Sequence, residues 1–253
     1  MSRPNPFDLS GRKALVTGAG RGIGASIAKA LAQAGADVAI TGRHLDELQK
    51  TAAILSADGA TVLPVVADVA DIATSQAAIE RAAGSLGGLD ILVNNAGTEE
   101  VRPSLDVDET LWDRILDINL KGAFFCSQAM ARRGKPGSII NLCSLTSEVG
   151  VPGAVPYGSS KSGLLGMTRA LAVEWASLDI RVNAIAPGYF RTDLTEVFYR
   201  DPAWREAMLP KIPLRRFGDL DDLQGVAVFL ASDASAYVTG QCIAVDGGFL
   251  ASI

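Results

Sequence analysis

The sequence predicts an α/β protein, a single domain in which a doubly wound parallel sheet of seven strands is covered by helices on both faces. Three observations lead to this prediction. Seven short apolar runs recur along the chain, helical patterns with one apolar stripe lie between them, and no linker or repeat divides the 253 residues. Strands with almost no polar alternation need cover on both faces, which is the environment of a parallel sheet between two helical layers.

The apolar runs predict the strands in chain order: Ala14–Val16, Asp37–Thr41, Val62–Val66, Ile91–Val93, Ile139–Leu142, Val182–Ala186 and Ile243–Val245. Helical spacing of apolar residues follows the first two runs: Ile23, Ile27, Ala30, Leu31 and Ala34, then Leu45, Leu48, Ala52 and Leu55. Prolines and aromatic pairs interrupt this alternation over residues 189–216. We interpret that stretch as a helical lid inserted into the single domain 1–253, the alternative being a surface excursion that caps the core.

The composition argues against several classes of function. A formal net charge of −5 and a pI near 5.0 leave no basic face for a phosphate backbone, so we expect no nucleic-acid partner. One histidine, His44, and three separated cysteines, Cys126, Cys143 and Cys242, give no paired-cysteine metal motif, and we expect no metal. Reduced core cysteines indicate a cytoplasmic protein. Residues 1–10 resemble a short ordered arm rather than a signal peptide, and no run approaches the ~18 apolar residues of a membrane span.

A glycine-rich loop follows the first apolar run directly. It reads Thr17-Gly18-Ala19-Gly20-Arg21-Gly22-Ile23-Gly24, with glycines in the order G-x-x-x-G-x-G. Gly18 allows the tight turn, while Gly22 and Gly24, on either side of Ile23, let a pyrophosphate approach backbone N–H groups at the positive helix end. The alternative is a simple strand-to-helix turn, against which the flanking strand and helix argue.

The residues after the second strand predict the cofactor. In a dinucleotide site that binds NAD(H), an Asp or Glu about 20 residues beyond the glycine loop accepts from the ribose 2′-hydroxyl. This strand instead ends in Thr41-Gly42-Arg43, without a carboxylate. Arg43, with Arg21 in the loop, can meet a 2′-phosphate. NADP(H) is therefore preferred and NAD(H) is the alternative, unless both arginines are only solvated surface residues.

Two further segments suit the adenosine half of a dinucleotide. Asp68, followed by Val69, comes after the third strand and can accept from the adenine amino group, unless it only caps the next helix. The run Asn94-Asn95-Ala96-Gly97 follows the fourth strand. The small residues of this run let the chain pass close to the adenine ribose, unless it is an ordinary turn, so we place Asn95, Ala96 and Gly97 in the cofactor site.

A tyrosine and a lysine open the helix after the fifth strand. Tyr157 and Lys161 are four residues apart, so the phenol and the ammonium share one helix face. A phenol has a reference pKa of about 10, and a base at neutral pH needs a drop of about 3 units, which Lys161 and an oxidised nicotinamide can supply. Ser144, at the end of the fifth strand, can hold a substrate carbonyl or alcohol. Asn119 is a candidate for disturbing its helix and holding a water against Lys161.

With these motifs the sequence resembles the short-chain dehydrogenase/reductase family over essentially its whole length. Further matches are Pro187-Gly188 followed by Thr192, and the tail Val245-Asp246-Gly247-Gly248. The resemblance implies a Rossmann fold, Tyr157 as general acid/base, and Lys161 as the group that modifies its pKa and binds the nicotinamide ribose. It also implies that Ser144 orients the substrate and Asn119 belongs to a proton relay. Finally, it implies that Pro187, Gly188 and Thr192 flank the nicotinamide and that the protein is a homotetramer.

Within the family the sequence looks similar to gluconate 5-dehydrogenase-like and glucose 1-dehydrogenase-like enzymes and to 3-oxoacyl-acyl-carrier-protein reductases. The carrier-protein reductases present two arginines to their acidic partner, where this chain has Lys135 and Leu178. Polar groups around the expected pocket favour a sugar, sugar acid or polyol: Glu99, Glu100, Thr146, Ser147, Glu148 and Tyr189. The alternatives are a 3-oxoacyl-thioester reductase and, in another class, a non-catalytic NADP(H)-binding regulatory protein. A nucleotide-sugar epimerase is disfavoured, because such enzymes resemble a longer chain than this one.

Overall fold

The computed structural model describes residues 5–57, 59–192 and 195–252. Within these ranges seven parallel strands form one sheet in the order β3-β2-β1-β4-β5-β6-β7. The strands are β1 (Lys13–Val16), β2 (Asp37–Gly42), β3 (Val62–Val66), β4 (Ile91–Asn94), β5 (Gly137–Leu142), β6 (Ile180–Pro187) and β7 (Cys242–Val245). The predicted fold class, a doubly wound Rossmann-type sheet, is confirmed.

Helices cover both faces of the sheet. They are α1 (Gly22–Gln33), α2 (Leu45–Ser56), α3 (Ile72–Leu86), α4 (Glu109–Leu116), α5 (Gly122–Ala131), α6 (Val155–Glu174), α7 (Glu196–Tyr199), α8 (Pro202–Met208) and α9 (Gln224–Ala231). A π-helical turn, Asp117–Lys121, joins α4 to α5. In the described part of the chain, no helix is long and apolar enough to cross a membrane.

Successive residues of one strand bury their side chains on opposite faces of the sheet. Val16 of β1 packs in the same cluster as Ile27 of α1, while Leu15 packs with Ile79 of α3. Each of these side chains is at most 1 % exposed. Burying an aliphatic side chain of this size stabilises the fold by about 1.5–3 kcal/mol, so apolar residues at consecutive strand positions require helices on both sides.

Helix α3 shows how local sequence fixes the helix ends. The Asp71 carboxylate accepts from the backbone N–H groups of Ala73 and Thr74 at 3.0 and 3.2 Å, which satisfies two donors that the helix leaves free. The helix ends where Gly87 adopts a φ of +79°, a left-handed conformation that favours glycine. Asp71, rather than Asp68, is therefore the N-cap of α3.

The strand order reverses between β1 and β4, so the loops after these strands meet at the carboxyl edge of the sheet. Gly18 has a φ of +64°, and a Cβ there would lie 2.8 Å from Ala96 Cα. A side chain at this position would push the two loops apart. Glycine is thus required where the sheet opens into a crevice.

Residues 189–216, interpreted above as a lid, contain α7, α8 and a 3₁₀ turn at Leu209–Lys211. Residues 193 and 194 of this stretch lie outside the described residues. Aromatic rings hold the stretch together: Tyr199 contacts Phe217 and Trp204 with centroids 4.9 and 5.3 Å apart, and Trp204 contacts Tyr189 at 5.7 Å. The stretch is helical, and its role as a lid rather than a surface excursion stays a prediction.

The N-terminal arm is described from residue 5 onward, and residues 1–4 lie outside the described residues. Leu9 is fully buried, and its backbone N–H donates to Ala34 O at 2.8 Å. Phe7 contacts Phe229 with ring centroids 6.4 Å apart. These contacts attach the described part of the arm to α1 and α9.

Candidate active site

One cleft of about 1030 Å³ lies at the carboxyl edge of the sheet. Its walls include all but one of the residues predicted to bind the cofactor or to take part in catalysis: Gly18, Arg21, Gly22, Ile23, Gly24, Arg43, Asp68, Val69, Asn95, Ala96, Gly97, Ser144, Tyr157, Lys161, Pro187, Gly188 and Thr192. The exception is Asn119, which is buried behind the wall at 1 % exposure. The sequence motifs, up to 174 positions apart from Gly18 to Thr192, therefore converge on one space.

The glycine loop forms one end of the cleft and fits a dinucleotide. A Cβ at Gly22 would meet nothing within 4 Å, so the loop is open toward the cleft at this point. At the start of α1, no side chain among the described residues caps the backbone N–H groups. Uncapped N–H groups at a helix N-terminus attract anions, which is the environment that a pyrophosphate needs.

Asn95 connects this loop to the loop after β4. Its Nδ2 donates to Thr17 O and Gly18 O at 2.8 and 3.0 Å. Thr17 Oγ1 in turn accepts from the backbone N–H groups of Asn95 and Ala96, both at 3.0 Å. The Asn95 side chain thus holds the glycine loop against the loop after β4 by hydrogen bonds to backbone oxygens. Its neighbour Asn94 is 4 % exposed and bonds Ser127 and Asn141 inside the protein.

Two arginines, Arg21 and Arg43, line the cleft near the glycine loop. Arg43 is exposed and makes no hydrogen bond or ion pair within the described ranges. Arg21 Nη1 contacts the two carboxylate oxygens of Glu47 at 2.7 and 2.8 Å. Asp68 also lines the cleft, and one of its oxygens accepts from Ala70 N at 3.0 Å, while the other has no partner among the described residues. The polar groups that were expected around an adenosine are present at this end.

Ser144, Tyr157 and Lys161 lie together at the other end of the cleft. Ser144 follows β5, and its Oγ accepts from Thr146 N at 3.2 Å as the cap of a 3₁₀ turn. Tyr157 lies in the first turn of α6, where its hydroxyl is near enough to that of Ser144 to affect its ionisation. Lys161, one turn later, is 4 % exposed, and its Nζ lies 5.5 Å from the Tyr157 ring centroid and donates to Leu142 O at 2.6 Å.

The ionisation of these groups differs from the expected lowering of the Tyr157 pKa. Burial raises the pKa of the phenol above its ordinary value, the Glu99 carboxylate adds to the rise, and the nearby Ser144 hydroxyl opposes it. Burial also lowers the pKa of the Lys161 ammonium. The ammonium is directed at Leu142 O instead of at the phenol oxygen, so the short distance along the helix does not by itself make the phenol acidic.

Asn119 lies in the π-helical turn, as expected for a residue that disturbs its helix. Its Oδ1 accepts from Thr98 N at 2.8 Å, and its Nδ2 donates to Thr98 O and Ser160 Oγ at 2.9 and 3.0 Å. A Cβ at Gly97 would lie 3.4 Å from Asn119 Oδ1 and 3.7 Å from Lys161 Nζ. Asn119 is therefore close to Lys161, and its place in a proton relay stays a prediction.

The residues expected to bind substrate hydroxyls separate into two groups. Glu99, Thr146 and Tyr189 line the cleft. Glu100, Ser147 and Glu148 are not among the residues that line it, which corrects the expectation for these three. Glu100 instead pairs with Arg102 and Arg114, which hold the pKa of its carboxyl below the ordinary value.

Glu99 differs from the adjacent Glu100 because it faces the cleft without an arginine partner among the described residues. It is half-buried in the cleft wall and makes no hydrogen bond within the described residues. Burial raises the pKa of its carboxyl, and the Lys161 charge opposes the rise. Thr146 is 9 % exposed, and its Oγ1 likewise lacks a partner in the described part of the chain. Both groups have unused capacity for hydrogen bonds beside Tyr157.

Several cleft residues are missed by the sequence reasoning, chiefly Glu47, Cys143, Tyr199, Trp204, Met208, Lys211 and Phe249. Most belong to the 189–216 stretch or the C-terminal tail, where these particular residues are not part of a sequence motif. The aromatic pairs and prolines of that stretch are the signal that could have indicated them. The three cysteines are free thiols, as expected. Among the described residues, no cluster of His, Cys, Asp or Glu could hold a metal ion.

Comparison with known sequences gives relatives over the whole chain. The family model described as "Enoyl-(Acyl carrier protein) reductase" matches residues 18–250. The gluconate 5-dehydrogenase of Gluconobacter oxydans strain 621H is 39% identical over 100% of both chains. The 3-oxoacyl-acyl-carrier-protein reductase of Staphylococcus aureus is 41% identical over 94% of this chain and 97% of the relative.

Comparison with solved structures also gives relatives that cover nearly the whole chain. A Sinorhizobium meliloti 1021 protein, provisionally assigned as a short-chain alcohol dehydrogenase, has a TM-score of 0.96 and 62% identity over 98% of this chain and 100% of its own. A gluconate 5-dehydrogenase from Burkholderia cenocepacia J2315, solved in complex with NADP and tartrate, has a TM-score of 0.94 and 39% identity over 98% of each chain. The fold thus has counterparts over nearly the full length of the chain.

Proposed function

Because the chain belongs to the short-chain dehydrogenase/reductase family, we propose that it is an oxidoreductase that transfers a hydride between NADP(H) and the carbonyl or secondary alcohol of a sugar acid. The observation that carries this proposal is the cleft itself. It joins a glycine loop and two arginines at one end to Ser144, Tyr157 and Lys161 at the other. NAD(H) is the second choice of cofactor, because Arg21 and Arg43 favour a 2′-phosphate without excluding a hydroxyl.

Each residue near the reacting groups has a separate role in the proposed reaction. When bound, the nicotinamide supplies the carbon that accepts or donates the hydride. Tyr157 moves the proton at its phenol oxygen, to the substrate in reduction and from it in oxidation. The Ser144 hydroxyl lines the cleft near that of Tyr157, and both hydroxyls can bond the substrate oxygen. Lys161 and Asn119 act through Tyr157: Lys161 contributes positive charge, and Asn119 completes a relay that connects the site to water.

The residues that we assign to cofactor binding line the same cleft. Gly18, Gly22, Ile23 and Gly24 present the α1 N-terminus to the pyrophosphate. Asp68, Val69, Asn95, Ala96 and Gly97 surround the adenosine, while Pro187, Gly188 and Thr192 flank the nicotinamide. We propose these roles from position and chemistry together.

A sugar acid fits the polar groups beside Tyr157. Glu99 and Thr146 can accept from or donate to substrate hydroxyls, and neither makes a competing side-chain hydrogen bond among the described residues. Lys211 lines the cleft, is exposed and has no ion-pair partner within the described ranges, so it can bind the substrate carboxylate. The acid group would lie away from Glu99, because two carboxylates repel each other at close range.

A 3-oxoacyl-thioester reductase is the second candidate. It is favoured by the apolar part of the cleft, where Trp204, Met208 and Phe249 could contact an acyl chain. At the surface, Lys135 and Leu178 stand where the carrier-protein reductases present arginines, and Leu178 is 45 % exposed. An exposed leucine gives an acidic carrier protein no charge to bind, which favours the sugar acid.

One experiment separates these candidates. Sugars, sugar acids, polyols and 3-oxoacyl thioesters are offered with NADP(H) and with NAD(H), and absorbance at about 340 nm reports the nicotinamide. Turnover of a sugar acid with NADP(H), and much slower turnover of the thioesters, is the expected result. The Tyr157→Phe variant serves as the control: we expect its turnover to be abolished and its NADPH affinity to stay within about threefold. Retained turnover in that variant would refute the role of Tyr157.

We also propose a cytoplasmic homotetramer. Two of the three free thiols are buried, which is typical of proteins in a reducing compartment. Exposed apolar side chains on α4, on α6 and after α9, namely Trp112, Val173 and Tyr237, offer surface for contacts between copies. Light scattering coupled to size-exclusion chromatography tests the assembly, and a monomer mass would overturn it.

A further inference from the structure

An ion pair crosses the mouth of the cleft at the proposed cofactor end. Arg21, the residue before α1, and Glu47, in the first turn of α2, both line the cleft. Their contacts of 2.7 and 2.8 Å bring Arg21 Nη1 to both carboxylate oxygens. Glu47 is not part of the dinucleotide motif, and it places a negative charge beside the two arginines.

The position of Glu47 is fixed by the glycine loop. A Cβ built at Gly20 would lie 3.3 Å from both Cβ and Oε2 of Glu47. One turn later in α2, Thr51 Oγ1 donates to Gly20 O at 2.6 Å. The backbone of α2 is therefore held beside the loop, which places the Glu47 carboxylate within reach of Arg21.

The charges of Arg21, Arg43 and Glu47 determine which ribose 2′ group binds favourably at this end of the cleft. Arg43, the last residue but one before α2, is four positions ahead of Glu47 and lines the same wall. A ribose 2′-phosphate would meet the two arginine cations, but also the Glu47 carboxylate, which already occupies N–H groups of Arg21. A ribose 2′-hydroxyl carries no charge and loses nothing from that carboxylate.

We propose that Glu47 determines cofactor specificity: it competes with the 2′-phosphate of NADP(H) for Arg21, and so weakens NADP(H) binding while leaving NAD(H) binding unchanged. This inference rests on the proposed function, since it assumes a dinucleotide in the cleft. The expected consequence is a smaller preference for NADP(H) over NAD(H) than the two arginines would give without Glu47.

The test uses Glu47→Gln, which keeps the shape of the side chain and removes its charge. The dissociation constants of NADPH and NADH are measured by quenching of tryptophan fluorescence, at low and at high salt. We expect NADPH to bind about fivefold more tightly to the variant, equivalent to roughly 1 kcal/mol, and NADH to change by less than about twofold. The gain should shrink at high salt, because the groups are exposed.

The matched control is Glu80→Gln. Glu80 makes a similar exposed ion pair, with Arg133 Nη1 at 2.6 Å, outside the residues that line the cleft. Its loss should leave both dissociation constants unchanged. Unchanged or weaker NADPH binding in Glu47→Gln would overturn the inference, because the carboxylate would then position Arg21 instead of competing for it. If the unmodified protein binds neither dinucleotide, the proposed function itself fails, which is a separate result.

Discussion

Substitution of Gly24 tests whether the glycine loop needs its empty space. Gly24 lies in the first turn of α1 with a φ outside the left-handed region, so an alanine there meets no backbone strain. Its Cβ would nevertheless lie 2.6 Å from Gly18 O and 3.0 Å from Ala19 Cα, and it would collide with Nδ2 of Asn95. Backbone atoms of a tight loop cannot move aside as a flexible side chain can. The Asn95 side chain must therefore leave its position, or the loop must shift.

The size of the effect follows from the bonds that would be lost. Asn95 Nδ2 donates to Thr17 O and Gly18 O, and two such bonds contribute about 2 kcal/mol together. Forcing a methyl group into packed backbone costs about 1–3 kcal/mol more. Replacing a helical glycine with alanine stabilises the helix by about 1 kcal/mol, which offsets part of this loss. The Gly24→Ala protein should be less stable by about 2–4 kcal/mol.

Urea unfolding measures the stability, and an NADPH titration measures whether the loop still binds. We expect the NADPH dissociation constant to rise at least tenfold, because the shifted loop withdraws the α1 N–H groups. Gly166→Ala is the matched control: Gly166 lies in α6 and a Cβ there meets nothing within 4 Å, so stability should rise by up to about 1 kcal/mol. If Gly24→Ala were as stable as Gly166→Ala and bound NADPH normally, the steric argument would be refuted.

Three further changes address the chemistry and the fold. Glu99→Gln removes a carboxylate that raises the Tyr157 pKa, so the rise of alcohol oxidation with pH should move to lower pH; an unshifted pH–rate profile would contradict the coupling. Thr146→Val removes a buried hydroxyl without a partner among the described residues, so thermal stability should not fall, while a severalfold higher KM for the sugar acid would reveal a bond to substrate. Asp71→Ala removes the α3 cap and should cost about 1 kcal/mol in urea unfolding with kcat unchanged; a loss of kcat would place Asp71 in the site.

The sheet could be predicted from sequence because burial on two faces leaves a simple pattern. Each strand is a short apolar run, and Leu15 and Val16 can both be apolar only if helices cover both sides. The glycine loop and the Tyr157–Lys161 pair could be predicted for a similar reason. Both depend on spacing along the chain within one or two adjacent elements, and sequence shows such spacing directly.

Contacts between distant elements could not be predicted in this way. Glu99 and Glu100 are identical in type and adjacent, yet Glu100 pairs with two arginines while Glu99 lines the cleft. Which of the two turns inward depends on the path of the loop after β4. The charge of Arg21 is likewise visible in the sequence, but its partner Glu47, on another helix, is not.

Ser147 shows how the arrangement of the proposed catalytic groups depends on a residue that is not part of the cleft wall. Its Oγ donates to Lys161 O at 3.0 Å and accepts from Ser144 N at 3.4 Å. One hydroxyl thus connects α6, which carries Tyr157 and Lys161, to the turn that carries Ser144. A second connection runs from Lys161 Nζ to Leu142 O at the end of β5. Because both contacts are made by buried or half-buried groups, the separation of Ser144 and Tyr157 is set by the packing of α6 on β5, before any ligand binds.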